Sequence, residues 1–260
     1  MKQIKIKCPA KINLDLRVFK KDETTGFHPI KSIMQTINLF DYLTIKLLDK
    51  SEIVLSGNSE EIPYNEGNIC YKAAKLFFET IKSDKGCDIY INKNIPVCAG
   101  LAGGSTDAAG VLYGLNKLCN NILPNEKLHN LASMLGSDLN FCLKGGTILC
   151  TNKGDKLTPM PFYDFKLSLV KPKNLKISAK TAYQAFDELK VESNMRNDLE
   201  FALLDKYEEL KYLHELGLQM SGSGPTYFLR DKNFDVKVDS SKYLIINDLH
   251  SVNHGIIEEK

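Results

Sequence analysis

The sequence predicts an α+β fold. Runs in which apolar and polar residues alternate mark strands, and stretches with apolar residues at helical spacing mark helices. The two kinds are interspersed without a strict strand–helix–strand repeat, which favours α+β over a doubly wound sheet. At 260 residues the chain is long enough for a sizeable core, in one large domain or two small ones.

The first strand region is 3–19, where Ile4 and Ile6, then Ile12, Leu14, Leu16 and Val18 after Cys8–Pro9, recur with period two and predict one buried face. The polar KKDETTGFHP (20–29) predicts a loop or hairpin end. Strands follow near 32–47 and 52–56. Asn68 opens a helix whose buried stripe is Cys70, Ala74, Phe77, Phe78 and Ile81. CDIYINKNIP (87–96) predicts a strand ended by Pro96. Ala108, Val111, Leu112, Leu115 and Leu118 line the next helix, and Leu128, Leu131, Ala132 and Leu135 a third, stopped by Gly136. GGTILC (145–150) reads as a strand, and TNKGDKLTPMPFYD (151–164) as a loop and domain junction. The second half predicts a strand at 165–170, helices between 179 and 216, a strand around 217–229 and a last strand at 242–247.

The composition excludes several classes. Hydrophobic content of 43% and charged content of 25% are those of an ordinary globular protein, and a net charge of +2 argues for neither nucleic acid nor an acidic membrane surface as partner. No apolar run approaches the ~20 residues that span a bilayer. MKQIKIKCPAKINL alternates and lacks the apolar core of a signal peptide. Seven cysteines without a CxxC pair or Cys/His ligand spacing read as reduced, structural thiols of a cytoplasmic protein.

The stretch IPVCAGLAGGSTDAAG places small residues where a helix begins. Helix N-termini carry unpaired N–H groups and partial positive charge, and glycines let those groups approach an anion. Gly100, Gly103 and Gly104 precede Ser105, an N-cap type, and the hydroxyls of Ser105 and Thr106 are within reach of a phosphate or a magnesium ion. A tight turn against a sheet fits the same composition. Neither a Walker A loop nor a GxGxxG fingerprint is present. MSGSGPT (220–226) is a second small-residue loop, read alone as a turn. Lys11, Asn13 and Asp15 share a strand face, either solvated or aimed at a reacting oxygen. Asp138 is either a cap or a base. Phe27–His28 at the tip of a polar loop is either local packing or a binding element. His129, His214, His250 and His254 have no evident partner and read as surface residues.

Together these segments resemble the GHMP kinases. PVCAGLAGGSTDAA is similar to their phosphate loop and MSGSGPT to their third motif. CPAKINLDL, TGFHPIKSIMQTI and LGSDLNFCLKGG carry a narrower likeness, to a branch that phosphorylates a hydroxyl of a cytidine diphosphate-linked polyol. The resemblance runs in order from residue 8 to residue 228. It implies a ribosomal-protein-S5-like domain over 1–154 and a ferredoxin-like domain over 155–260, with the active site between them. It further implies Lys11 and Asp138 as the catalytic pair, and Asn13, Phe27, His28 and Tyr183 as substrate-binding residues. ATP as phosphoryl donor would lie on Pro96, Gly100, Leu101, Ala102, Gly103, Gly104, Ser105 and Thr106, with Mg²⁺ expected and Ser105 its candidate ligand. Phe27 stands where the family usually has Tyr, and Pro29 and Asn140 also depart from the commonest pattern. The expected partners are small molecules, with no nucleic acid or membrane, in a monomer or homodimer. A GHMP kinase acting on a sugar, homoserine or mevalonate is the alternative, and an S5-like RNA-binding protein a more distant one. No function maps onto the chain after residue 230.

Overall fold

The computed structural model describes residues 2–189, 191–232, 234 and 238–259. The first half runs β1 (Gln3–Val18), β2 (Ile30–Leu48), β3 (Ile53–Gly57), α1 (Ile69–Thr80), β4 (Gly86–Asn92), α2 (Gly103–Leu118), α3 (Asn125–Leu135), α4 (Leu139–Lys144), β5 (Thr147–Asn152) and β6 (Lys156–Pro159). The second half runs β7 (Lys166–Pro172), α5 (Ala179–Asp187), α6 (Asp198–Leu204), α7 (Glu208–Glu215), β8 (Gln219–Met220), β9 (Tyr227–Arg230), β10 (Tyr243–His250) and β11 (Ile257–Glu258). The strands form two sheets, of seven and four strands. The chain is α+β, as its periodicities predict.

In the larger sheet β1 and β2 are antiparallel from Gln3↔Lys46 to Val18↔Ile30. β2 changes its other partner along its length: Ile30–Gln35 pairs with β5, and Tyr42–Leu48 with β4. Helix α2 lies against β1 and β2 at very short range. A Cβ on Gly110 would sit 2.5 Å from Cys8 Sγ, and one on Gly114 would sit 2.7 Å from Ile45 Cδ1. The two glycines lie one turn apart, so they lower the same helix face onto the sheet. Ala108, Ala109, Val111, Leu112 and Leu115 are fully buried around them. Helix α1 is capped by Asn68, whose side chain accepts from Cys70 N at 2.8 Å, and it buries Phe77 completely.

The smaller sheet has the order β10-β7-β9-β8, all antiparallel. Within this half that is strand order 4-1-3-2, the ferredoxin-like arrangement. The helices α5–α7 all lie between its first and second strands, and no helix occurs among the described residues between β9 and β10.

Several expectations need correcting. Segment 151–164 is not all loop, because β6 forms a hairpin with β5 in the larger sheet. The change from one sheet to the other therefore falls between Pro159 and Lys166, not at 154/155. The C-terminal segment returns to the larger sheet, with β11 on β1 and Val252 N donating to Thr36 O. Helix α4 is an added element that no periodicity in the sequence predicts. The middle of β1 is buried on both faces from Cys8 to Asn13, rather than on one. A register shift at Leu14, between Asn13 and Asp15, also ends the alternation that was to place Asp15 beside Lys11. No helix among the described residues is long and apolar enough to cross a membrane.

Candidate active site

The two small-residue loops meet over the buried middle of β1. Lys11 is 4% exposed, and its Nζ donates to Asn13 Oδ1 at 2.7 Å and to Gly100 O at 2.8 Å. Ser221 Oγ donates to the same Gly100 O at 3.1 Å and accepts from Asn13 N at 3.3 Å. The approach requires glycine on both sides. Gly100 has φ +73°, and a Cβ there would lie 2.2 Å from Ser221 O. Gly222 has φ +56°, and a Cβ there would lie 3.0 Å from Lys11 Nζ. Asn13 is itself fixed, since Nδ2 donates to Ser32 Oγ at 2.7 Å and that hydroxyl donates to Asp15 O at 2.6 Å.

Helix α2 starts beside this junction, earlier than Ser105. Its N-cap is Ala102 at φ 59°, with no side-chain cap, and Ser105 is its third residue. The first amides are thus left to a ligand. The loop from Pro96 to Ser105 lines a cavity of about 630 Å³, within the usual range for small-molecule sites. Gly104 is exposed there, and a Cβ on it would meet only Ile69 Cγ2, at 3.8 Å. Leu101 and Thr106 do not line it. Leu101 is a core side chain whose carbonyl accepts from Lys11 N at 3.1 Å, and the fully buried Thr106 hydroxyl lies beside Cys142.

Asp138 reaches the cavity from the start of α4. It occupies the N-cap position but makes no side-chain cap bond, and its Oδ2 lies 3.9 Å from Lys11 Nζ. Tyr183 of α5 closes the far wall. Burial, with a smaller contribution from Asp138, pushes its hydroxyl up to about 12, so it stays protonated at neutral pH. His28 stacks on that ring, centroids 5.3 Å apart at 24°. Its Nδ1 is 2.9 Å from Phe19 O and its Nε2 3.2 Å from Asp187 Oδ1. The structure thus brings Lys11, Asn13, Asp138 and Tyr183 to one cavity, with His28 behind Tyr183. Phe27 is 60% exposed on the loop and does not line it.

Sequence reasoning missed three supporting groups. Lys93 bridges Asp41 and Asp107 beneath α2, with its Nζ 2.8 Å from Asp107 Oδ2 and also bonded to Asp41 Oδ2. Asn197, fully buried, donates to Met220 O at 3.0 Å and Gly222 O at 2.8 Å, and Glu200 accepts from Met220 N at 3.0 Å. The histidines taken as unpartnered are not. His129 lies 2.8 Å from Asn140 Oδ1, His214 2.9 Å from Glu200 Oε1 and His250 2.9 Å from Asn38, while His254 stacks on Phe40. All seven cysteines are free, and Cys98 in the glycine loop is exposed.

A glycine loop thus opens a helix over a buried lysine and a facing carboxylate, at the cavity of this two-sheet fold. Residues 68–146 match the family described as GHMP kinases N terminal domain. A 4-diphosphocytidyl-2-C-methyl-D-erythritol kinase of Clostridium beijerinckii is 43% identical over 254 residues, covering 86% of this chain and 90% of the relative. One from Clostridium acetobutylicum is 38% identical over 266 residues, covering 92% and 93%. A crystal structure of 4-(cytidine 5'-diphospho)-2C-methyl-D-erythritol kinase superimposes with a TM-score of 0.72 at 28% identity, over 86% of this chain and 89% of that one. Homoserine kinase from Cytophaga hutchinsonii shares the fold, with a TM-score of 0.73 at 16% identity over 100% of this chain and 98% of that one. The chain belongs to the 4-diphosphocytidyl-2-C-methyl-D-erythritol kinase family of GHMP kinases.

Proposed function

We propose that this protein transfers the γ-phosphoryl group of ATP to the 2-hydroxyl of 4-diphosphocytidyl-2-C-methyl-D-erythritol, a step in isoprenoid precursor synthesis. The observation that carries the reading is the Lys11–Asp138 pair, facing a cavity walled by the uncapped start of α2 and by Tyr183. The amides of Gly103, Gly104 and Ser105 hold the ATP phosphates. Asp138 accepts the proton of the attacking hydroxyl. Lys11, fixed by Asn13 and Gly100 O, offsets the charge that builds on the nucleophile and the transferred group. Positioning and electrostatics account for most of phosphoryl transfer, so this short set of groups suffices.

Among the described residues no group of three or more His, Cys, Asp or Glu side chains is placed to hold a metal ion. The Ser105 hydroxyl and the Asp138 carboxylate line the cavity, which fits Mg²⁺, an ion that takes most of its ligands from phosphate and water. Magnesium would supply charge neutralisation at the phosphates. The cytosine base is assigned to the Tyr183 side of the cavity, where His28 stacks behind that ring; Phe27, exposed on the same loop as His28, is assigned to the base from the family resemblance alone. Seven free thiols are consistent with a reducing cytoplasm. The test is to incubate the protein with ATP and the acceptor and examine the product by ³¹P NMR. A new phosphomonoester on the 2-hydroxyl is expected, and phosphorylation elsewhere overturns the assignment.

A further inference from the structure

Behind Tyr183, helix α5 ends on a carboxylate that a helix does not favour there. Asp187 is the last residue of α5, and its side chain is 46% exposed. The C-terminal end of a helix carries partial negative charge, so an acidic residue at that place costs helix stability. No basic residue in the last turn offsets it. A local rule broken in this way points to a use elsewhere in the molecule.

The group that Asp187 meets is His28, whose Nε2 lies 3.2 Å from its Oδ1. A carboxylate can only accept, so the ring nitrogen donates. The other ring nitrogen, Nδ1, is 2.9 Å from Phe19 O, just past the end of β1. One face of the imidazole stacks on Tyr183, and Phe186 meets it at right angles with centroids 5.7 Å apart. Tyr183, Phe186 and Asp187 stand at i, i+3 and i+4 of one helix, so they present a single face to the imidazole. The His28 side chain is only 7% exposed in this setting. Ring contacts alone would let the imidazole turn in its own plane. The two polar contacts remove that freedom, and of the two only the one to Asp187 ties it to α5.

Tyr183 lines the main cavity, whereas His28 and Asp187 line a separate one of about 700 Å³. Asp187 therefore acts on the main cavity through His28 and Tyr183. The same imidazole anchors the loop between β1 and β2, which Phe19 N closes by donating to Pro29 O at 2.9 Å and which carries Phe27.

We propose that Asp187 is a positioning residue for the acceptor: by fixing the His28 ring it sets the Tyr183 wall and ties the loop that carries Phe27 to α5. The inference rests on the reading of the Tyr183 side as the seat of the cytidine. It places the value of Asp187 in acceptor affinity rather than in folding. Removing the carboxylate leaves the helix as stable as before, or more so, while the acceptor site loosens.

The experiment measures ADP release with ATP and 4-diphosphocytidyl-2-C-methyl-D-erythritol on wild type, Asp187→Ala, Asp187→Asn, His28→Ala and the Asp187→Ala/His28→Ala double variant. Thermal melting and NMR of ¹⁵N-labelled histidine accompany it. Loss of one hydrogen bond predicts that Asp187→Ala raises KM for the acceptor about threefold to tenfold. KM for ATP should hold, and the melting temperature should be unchanged or higher. Asp187→Asn should recover most of the acceptor affinity, because its amide oxygen still accepts from Nε2. In the His28→Ala background Asp187→Ala should add nothing, since both changes break the same contact. The His28 Nε2 resonance should move in Asp187→Ala. If His28→Ala does not fold, the Asn rescue and the Nε2 resonance decide. An acceptor KM that is unchanged or lower in Asp187→Ala overturns the inference and leaves the cytidine site standing. So does an equal rise in KM for ATP, or an Asp187→Ala effect of the same size with and without His28. An Asp187→Ala protein that does not fold or melts several degrees lower makes the residue structural and overturns it as well. No turnover of this acceptor by wild type overturns the cytidine reading, and the inference with it.

Discussion

Replacing Asp138 by Asn separates catalysis from architecture at a single atom. The structure gives the side chain little to do in the fold. It makes no cap bond at α4, it is partly exposed, and its ion-pair partner Lys11 stands 3.9 Å away. At that distance the pair is worth about 4 kcal/mol at an effective dielectric of 20 and about 1 kcal/mol in water. Solvent at Asp138 places the real figure toward the lower end. Lys11 keeps its bonds to Asn13 Oδ1 and Gly100 O in the variant, so it is not left buried and bare. The melting temperature should therefore shift by only a few degrees. Turnover should respond far more. Losing a positioned general base lowers kcat by roughly 10²–10⁴, or about 3–5 kcal/mol of transition-state stabilisation. The group matters chiefly as the proton leaves, so kcat/KM should fall in parallel and KM change little. The assay is ADP release with ATP and 4-diphosphocytidyl-2-C-methyl-D-erythritol, with thermal melting as the fold control. A folded variant that keeps more than about a tenth of wild-type kcat would return Asp138 to the role of a helix-start residue.

Four further substitutions test the same reading. Phe27→Ala removes a ring that is 60% exposed, so stability should hold while KM for the acceptor rises by the equivalent of ~1–3 kcal/mol; an unchanged KM removes the loop from the cytidine site. Gly104→Val finds only Ile69 Cγ2 at 3.8 Å and should fold normally yet lose ATP affinity by calorimetry, whereas Gly100→Ala, at φ +73° and 2.2 Å from Ser221 O, should lower the melting temperature as well. Equal behaviour of the two variants would refute the distinction between a position that leaves room for ligand and one that seats the loop. Asn197→Ala strips the donor from Met220 O and Gly222 O, at about 1–3 kcal/mol for each buried acceptor left unpaired, and should lower the melting temperature and raise KM for ATP; an unaffected KM would free loop 220–224 from the site.

What the sequence revealed depended on whether a signal was local. Lys11 and Asn13 could be placed on one face because strand side chains alternate, and Asn68 could be placed at a helix start because it precedes an apolar stripe. The start of α2 was misjudged because Ala102 takes the left-handed conformation, which alanine rarely adopts and nothing in its neighbours announces. Helix α4, with six residues, is too short to show a period. Strand β6 hides in a segment rich in turn residues, and only its pairing with β5 makes it a strand. The one-face reading of β1 failed because its second face is covered by loops around residues 100 and 222, far away in the chain. The partner of His250 escaped for the same reason, Asn38 lying 212 positions away in the chain. Family resemblance supplied what spacing could not, above all the meeting of Lys11 with Asp138.

The central claim is the identity of the acceptor, and a direct comparison of acceptors tests it. ADP release is measured with ATP and, in separate reactions, 4-diphosphocytidyl-2-C-methyl-D-erythritol, homoserine, mevalonate and galactose, each yielding its own kcat/KM. Turnover should be confined to the cytidine diphosphate compound, with one ADP formed per acceptor consumed. Turnover with one of the other three and none with the cytidine compound would contradict the account.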